Sequence, residues 1–217
     1  MSWAEAGFEV LGQRVLWIDL VGNACALGTV YLAIKRTVWT WPVQLTGTVL
    51  LFIASVNAHI TGNALKQVLF GVLAVYGWVK WAKGTRDGAA LPIRPATARE
   101  RAALCAAMAV GTVAVALTFT ALNARGWHIS WAPWPDAYIF VGSAVATWAQ
   151  GRALVDFWLV WVAVDLVGVP LAFSSGLVVS GLVYGVFLVM VLIGFRGWLR
   201  QARVLAVQRQ ETEAMAA

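Results

Sequence analysis

The chain has 217 residues, of which 61% are hydrophobic and only 12% are charged, and its mean hydropathy is +0.76. A soluble domain is about half apolar and about a quarter charged, so this composition excludes a soluble globular protein and indicates a polytopic membrane protein. The net charge of +6 does not indicate nucleic-acid binding, because the basic residues lie at the ends of apolar runs and not in one patch.

Seven apolar runs are long enough to cross about 30 Å of hydrocarbon, which takes about 20 helical residues. The sequence therefore predicts an all-α fold of seven transmembrane helices in one domain. In chain order the runs cover residues 16–35, 40–58, 63–82, 101–122, 136–152, 156–174 and 178–198. The fifth is the weakest, because it is short and is interrupted by Gly142, Thr147 and Gln150.

The basic residues predict the orientation of these helices. If the N-terminus is outside, the cytoplasmic side receives Lys35, Arg36, Lys80, Lys83, Arg86, Arg94, Arg99, Arg101, Arg152, Arg196, Arg200, Arg203 and Arg209. Arg14, Lys66 and Arg125 are then outside. The positive-inside rule favours this arrangement, with a cytoplasmic C-terminus.

Glu5 and Glu9 stand where a signal peptide would carry basic residues, so no cleavable signal is expected.

A shift of 117 positions aligns the first three runs with the last three without a gap. The shift pairs Trp17 with Trp134, Asp19 with Asp136, Trp41 with Trp158 and Trp81 with Trp198. An odd number of helices reverses the chain direction, so a parallel copy needs one linking helix. The prediction is a 3+1+3 bundle, with repeat one at 16–84, the linking helix at 101–122 and repeat two at 134–200. Transporters with parallel repeats hold their substrate between the halves, near the midplane.

Polar and aromatic residues mark one face of the second and sixth runs. Trp41, Gln44 and Thr48 lie at i, i+3 and i+7 of a helix. Their counterparts in the second repeat are Trp158, Trp161 and Asp165, and a further pair joins Gln67 to Tyr184. Together these eight residues predict a binding site for a flat, heteroaromatic and partly polar solute.

Asp165 is the least expected residue in the sixth run. A charged side chain at the centre of a membrane helix costs roughly 2.5–3.5 kcal/mol on insertion scales. Asp165 therefore either has a buried partner or faces a cavity that a polar solute enters. No Lys or Arg lies at its depth in the predicted spans, so we expect a neutral or substrate-bonded carboxyl group.

Structural roles are an alternative for several of these residues. Trp41 and Trp158 lie near the cytoplasmic interface, where tryptophans form belts. Gln67 is able to bond another helix, and Asp165 to bond Thr48 across the pseudo-axis. Asp19 and Asp136 begin their helices, where a carboxylate suits the N-terminal dipole.

Three motifs together resemble the PnuC family of bacterial vitamin transporters. They are YGWVKW at residues 76–81, Gln67 in KQVLFGV, and W-x-x-W-x-x-x-D at Trp158, Trp161 and Asp165. The resemblance runs from Trp17 to Trp198. It implies a 3+1+3 fold related to the SWEET sugar transporters, a homotrimer in the bacterial inner membrane, and facilitated diffusion without ATP or a coupling ion. It also implies coupling to a cytoplasmic kinase that traps the imported vitamin.

The resemblance also bears on which vitamin is carried. Members that carry nicotinamide riboside have Asn where this chain has Asp165, and the family also includes thiamine carriers and a riboflavin branch, the PnuX or RibM type. Twelve Arg against four Lys resembles the high-GC actinobacterial sequences of that branch. The flat isoalloxazine ring of riboflavin is compatible with the tryptophan-lined face. Riboflavin is therefore favoured, with nicotinamide riboside or thiamine as alternatives.

Further function classes find less support in the sequence. There is no nucleophile–base pair, no HExxH motif and no phosphate-binding loop, so an enzyme is not expected. Cys25, Cys105, His59 and His128 have no metal-ligand spacing, and no cofactor is predicted. A membrane scaffold is compatible with the sequence, and so is a proton-coupled carrier that uses Asp165 as a relay.

Overall fold

The computed structural model describes residues 7–10, 13–57, 61–84, 92–127, 129–174 and 178–216. These residues form seven helices: α1 (Trp17–Ile34), α2 (Thr40–Asn57), α3 (Thr61–Gly84), α4 (Ala98–Ala124), α5 (Pro133–Gly151), α6 (Phe157–Ser174) and α7 (Val178–Ala216). Each overlaps one predicted span. A short antiparallel hairpin of β1 (Gly7–Val10) and β2 (Gln13–Leu16) precedes α1, which the all-α expectation did not include.

Helix α7 is longer than the sequence predicted. The predicted span ends at residue 198, but the helix continues to Ala216 and has 39 residues. At 1.5 Å per residue it is about 58 Å long, well beyond the ~30 Å of hydrocarbon. The apolar pattern stops near Arg196, whereas the helix-forming residues Ala, Arg, Gln, Glu and Leu continue after it. The last part of α7 is thus a polar helix that exceeds the length needed to cross a bilayer.

The outer surface of the bundle is apolar. Leu65, Val72 and Leu166 are more than 60% exposed, as lipid-facing side chains are. Helix α4 and the segment Gly181–Met215 are each long and apolar enough to cross a membrane. Exposed tryptophans stand at both ends of the bundle, at Trp17, Trp127, Trp131 and Trp134 on one side and at Trp39 and Trp148 on the other. This distribution is typical of interfacial belts.

Two groups of three helices pack in the same way. Helix α2 contacts α1 and α3, and α6 contacts α5 and α7. The groups meet where α3 packs on α5 and where α7 packs on α1. A shift of 117 positions turns α3 into α7 and α1 into α5, so each of these two contacts is the counterpart of the other. We call α1–α3 and α5–α7 the two halves.

The turns that follow α1 and α5 have the same backbone. Arg36 has φ of 56° and Ala153 has φ of 55°, and the two residues are 117 positions apart. Their amides donate to the carbonyls of Ala33 and Gln150, at 3.0 and 2.8 Å. A left-handed conformation costs an L-residue roughly 1–2 kcal/mol, so its occurrence at both positions is not a trivial similarity. These turns lie at one end of the bundle, which we call the basic end.

Five aromatic side chains form a cluster at the basic end, here called the tryptophan cluster: Trp41, Trp81, Phe157, Trp158 and Trp198. Each is at most 1% exposed. Trp41 and Trp81 pack edge to face with ring centroids 5.3 Å apart, and Trp158 and Trp198 do so at 5.9 Å. The belt alternative for Trp41 and Trp158 is therefore wrong, because both rings are inside the protein.

Two hydrogen bonds from this cluster join the halves. The indole N–H of Trp81 donates to the carbonyl of Gln150 at 3.0 Å, and that of Trp198 donates to the carbonyl of Ala33 at 3.0 Å. Each bond runs from the third helix of one half to the first helix of the other. The two bonds are counterparts under the 117-residue shift, and both lie at the basic end.

The segment before α4, residues 92–97, is hydrogen-bonded to the second half at the basic end. The amide of Val155 donates to the carbonyl of Arg94 at 2.9 Å. The carboxylate of Asp156 accepts from the amide of Ala96 and from Nε of Arg101, both at 2.6 Å. Arg94 also makes two 2.7 Å bonds to Glu100, and this hydrogen bonding raises the pKa of the Arg94 guanidinium above its ordinary value.

Of the two aspartates predicted at helix starts, the structure describes the side chain of Asp136 but not that of Asp19. Asp136 lies in the first turn of α5, and its carboxylate accepts a short hydrogen bond from Oγ of Ser130. This contact is consistent with the structural role expected for Asp136. The side chain of Asp19 lies outside the described part of the chain, as do His59 and His128.

Candidate functional site

A cavity of about 350 Å³ lies between the two halves. Its size is at the lower end of the usual range for small-molecule pockets, roughly 300–1,000 Å³. Helices α1, α2 and α3 line one side, and α5, α6 and α7 line the other. The polar and aromatic residues of its wall are Thr29, Gln44, Thr48, Phe70, Ser143, Thr147, Gln150, Phe157, Trp158, Trp161, Asp165, Tyr184 and Phe187.

Most of the predicted site residues reach this cavity. Six of the eight line it: Gln44, Thr48, Trp158, Trp161, Asp165 and Tyr184. Trp41 shares a helical face with Gln44 but lies in the tryptophan cluster, outside the lining. Gln67 is buried at 6% exposure and is also outside the lining.

Asp165 is buried in the cavity wall, with 3% of its surface exposed. Its Oδ2 atom accepts no hydrogen bond from any residue that the structure describes. The hydroxyl of Thr48 donates instead to the carbonyl of Gln44, at 2.9 Å. The described contacts therefore give no support to a structural Thr48–Asp165 bond. A buried acceptor without a partner costs about 1–3 kcal/mol, so this position favours a ligand donor.

Two unpaired donors lie in the same wall. Nε2 of Gln150 and Nε1 of Trp158 are buried and have no partner within the described ranges. Both residues line the cavity, at the basic end. Unpaired buried polar groups are rare in native proteins and call for a ligand or a water molecule. The wall thus offers two donors at the basic end and one acceptor farther along α6.

Helix α5 contributes a polar stripe that the sequence reasoning missed. Ser143, Thr147 and Gln150 lie at i, i+4 and i+7, and all three line the cavity. The hydroxyls donate within the helix, from Ser143 to Ile139 at 2.7 Å and from Thr147 to Ser143 at 2.8 Å. The signal was present in the sequence, since Thr147 and Gln150 are two of the residues that interrupt the fifth apolar run.

The aromatic part of the wall suits a planar ring. Phe157, Trp158 and Trp161 follow one another along the start of α6, and Phe70 and Phe187 are counterparts on α3 and α7. Aromatic side chains bury large areas and stack in offset or edge-on geometries. The cavity can therefore hold a flat heteroaromatic ring and form hydrogen bonds with the polar groups at the edges of that ring.

The chain matches a family model over residues 16–200, and that family is described as nicotinamide mononucleotide transporter. The chain belongs to this transporter family. Among its relatives is the riboflavin/roseoflavin transporter RibM of Streptomyces davaonensis, which is 46% identical over 206 residues and matches across 94% of each chain. The expected resemblance to the PnuC family is confirmed.

More distant relatives of this transporter family agree with the fold. The nicotinamide riboside transporter PnuC of Escherichia coli is 26% identical over 212 residues, which cover 88% of this chain and 89% of that protein. The crystal structure of the vitamin B3 transporter PnuC superposes with a TM-score of 0.65 at 20% identity, covering 86% of this chain and 82% of the other. This likeness shows the fold alone. The relatives are membrane transporters and not enzymes.

Proposed function

We propose that this protein is a membrane transporter that takes up riboflavin through the cavity between its halves. The observation that carries the proposal is the buried Asp165 carboxylate, whose Oδ2 atom has no partner among the described residues and lies in the wall of an aromatic-lined cavity. The 46% identity to a riboflavin/roseoflavin transporter supports riboflavin over nicotinamide riboside and thiamine.

The chemistry of riboflavin matches the wall. Its isoalloxazine ring is flat and has carbonyl groups on both sides of an imide N–H, and its ribityl chain carries hydroxyl groups. Phe157 and Trp161 supply faces for the ring, and Asp165 supplies an acceptor for a ligand O–H or N–H. A solute with both a planar ring and several polar groups along its edges satisfies the wall atoms that have no described protein partner.

The transport step follows from a 3+1+3 arrangement of parallel repeats, which we include in the proposal. Repeat one is 16–84, the linking helix 101–122 and repeat two 134–200. The recurring helix contacts, left-handed turns and indole–carbonyl bonds support this SWEET-like division. Alternating access rocks one repeat against the other around a central site. The Trp81–Gln150 and Trp198–Ala33 bonds join the halves, so they must break when the cavity opens at the basic end.

Nicotinamide riboside is the second candidate, because a relative of 26% identity is a nicotinamide riboside transporter. Thiamine, which other members of the PnuC family carry, is a third candidate. The carboxylate of Asp165 favours a different substrate from that of the nicotinamide riboside members, which have Asn at this position. A carboxylate only accepts hydrogen bonds, whereas an amide also donates them. A proton-coupled carrier would use the same carboxyl group as a relay, and uptake into vesicles separates that mode from simple facilitation.

We further propose a bacterial inner-membrane location with the N-terminus outside, a homotrimeric assembly and trapping of the vitamin by a cytoplasmic kinase. The basic end, which holds Lys35, Arg94 and Arg152, is then cytoplasmic. Reporters fused after Gly84 and after Arg203 are both expected to report a cytoplasmic location. A signal from the outer side at either position contradicts this orientation.

Transport is expected to need neither ATP nor an ion gradient. Purified protein in empty vesicles should let labelled riboflavin enter until the inner and outer concentrations are equal, because no trapping enzyme is present. Protein-free vesicles give the background rate. Accumulation above the external concentration contradicts facilitation, and a sensitivity of that accumulation to a protonophore would favour proton coupling. Entry no faster than the background contradicts the proposed function itself.

A further inference from the structure

We propose that the side-chain amide of Gln150 is a specificity-determining donor that binds the carbonyl edge of the substrate ring. This inference rests on the proposed function and deepens it, because it assigns a residue outside the stripe of Trp158, Trp161 and Asp165. It predicts which part of the substrate each end of the cavity recognises.

The side-chain nitrogen of Gln150 is buried and has no partner among the described residues. Gln150 is 4% exposed and lines the cavity, and its Nε2 atom has no hydrogen-bond partner in the part of the chain that the structure describes. Nearly all buried polar groups in native structures are paired. Because Gln150 lines the cavity, a solute held there is able to supply the missing partner.

The hydrogen bond that joins the halves at Gln150 uses only its backbone carbonyl. The carbonyl of Gln150 accepts the Trp81 indole at 3.0 Å, and the carbonyl of its counterpart Ala33 accepts the Trp198 indole at the same distance. Alanine is thus sufficient for the indole–carbonyl bond in the first half. The amide of Gln150 is additional to that bond, and its position in the cavity wall assigns it to the substrate.

The positions along α6 orient the substrate. Gln150 lies at the end of α5, next to Phe157 and Trp158 at the start of α6. Asp165 is eight residues beyond Phe157, which is about 12 Å farther along the helix at 1.5 Å per residue. A ring that packs on Phe157 and Trp161 therefore turns its carbonyl edge toward Gln150. Its hydroxylated chain then extends toward Asp165, which accepts from it.

The test compares riboflavin with lumiflavin, a flavin ring that lacks the hydroxylated chain. Gln150→Ala is expected to weaken the binding of both compounds by about tenfold, because a buried hydrogen bond to the ring is lost. Asp165→Asn is expected to weaken riboflavin more than lumiflavin. The melting temperature of Gln150→Ala should match that of the unmodified protein, as Ala33 makes the same backbone contact.

Each remaining outcome is decisive. If Gln150→Ala binds lumiflavin as tightly as the unmodified protein, the amide does not contact the ring and the proposal is wrong. If the alanine variant does not fold, Gln150→Met keeps the side-chain length without the donor and must show the same tenfold loss. Trp131→Ala, at an exposed position, is the control that should bind both compounds normally. If the unmodified protein binds neither flavin, the proposed function has failed, and this inference fails with it.

Discussion

Gly194→Ala is expected to unfold at a lower temperature than the unmodified protein. A Cβ atom at Gly194 would lie 2.5 Å from a ring carbon of Trp158, closer than real Cβ contacts allow. The ring has little room to move, because its centroid is 4.3 Å from that of Phe157 and 5.9 Å from that of Trp198. Overpacking of this kind costs about 1–3 kcal/mol. Trp158 also lines the cavity, so substrate affinity should fall as well.

Gly197→Ala is the matched control on the same helix. A Cβ atom at Gly197 meets no other atom within 4 Å. Both substitutions gain the higher helix propensity of alanine, about 0.8–1 kcal/mol, so the difference between them isolates the contact with Trp158. Thermal unfolding of the two purified variants should give an unchanged or higher Tm for Gly197→Ala and a lower one for Gly194→Ala. Equal Tm values would mean that the Trp158 ring adapts, and that the tight fit is not important for stability.

The helices were predictable because a bilayer imposes a length on apolar segments. All seven runs are helices, and the 117-residue register pairs Trp41 with Trp158 and Trp81 with Trp198, which occupy equivalent places in the tryptophan cluster. The length of α7 was not predictable from hydropathy, since its last part is helical but polar. The β1–β2 hairpin was missed because it precedes the first apolar run.

The sequence predicted which side chains share the helical face that lines the cavity, but not how far the cavity extends along each helix. Helical periodicity correctly grouped Gln44 and Thr48 on the face that lines the cavity. The same periodicity included Trp41, one turn nearer the basic end, where the ring packs over Gly77 and leaves the cavity. Periodicity gives the direction of a side chain around a helix, whereas the extent of a cavity along the helix depends on tertiary packing. Gln150 was missed as a cavity-lining residue, because a polar residue inside an apolar run was interpreted only as an interruption of the span.

Asp165→Leu is expected to weaken riboflavin binding by roughly tenfold to more than a hundredfold. The carboxylate is buried in the cavity wall, and its Oδ2 atom has no partner in the described part of the chain. A hydrogen bond to a charged group contributes about 1.5–3 kcal/mol. This corresponds to a loss of roughly tenfold to more than a hundredfold in affinity. Leucine also places an apolar group against the polar part of the substrate. Because Asp165 makes no described contact that holds the fold, the variant should still reach the membrane.

Asp165→Asn separates charge from shape at the same position. The amide has a similar size, keeps one acceptor and adds two donors. This variant should fold and bind, with an altered ratio of riboflavin to nicotinamide riboside affinity. Leu166→Ala is the control, because Leu166 is adjacent in sequence but 63% exposed on the outer surface. Its riboflavin affinity should equal that of the unmodified protein.

The most direct measurement is the equilibrium affinity for riboflavin of the purified unmodified protein, Asp165→Asn and Asp165→Leu, measured side by side. We expect binding by the unmodified protein, altered binding by Asp165→Asn, and a dissociation constant that is about tenfold or more higher for Asp165→Leu. If Asp165→Leu binds riboflavin as tightly as the unmodified protein, Asp165 is structural and the substrate site is not in this cavity wall.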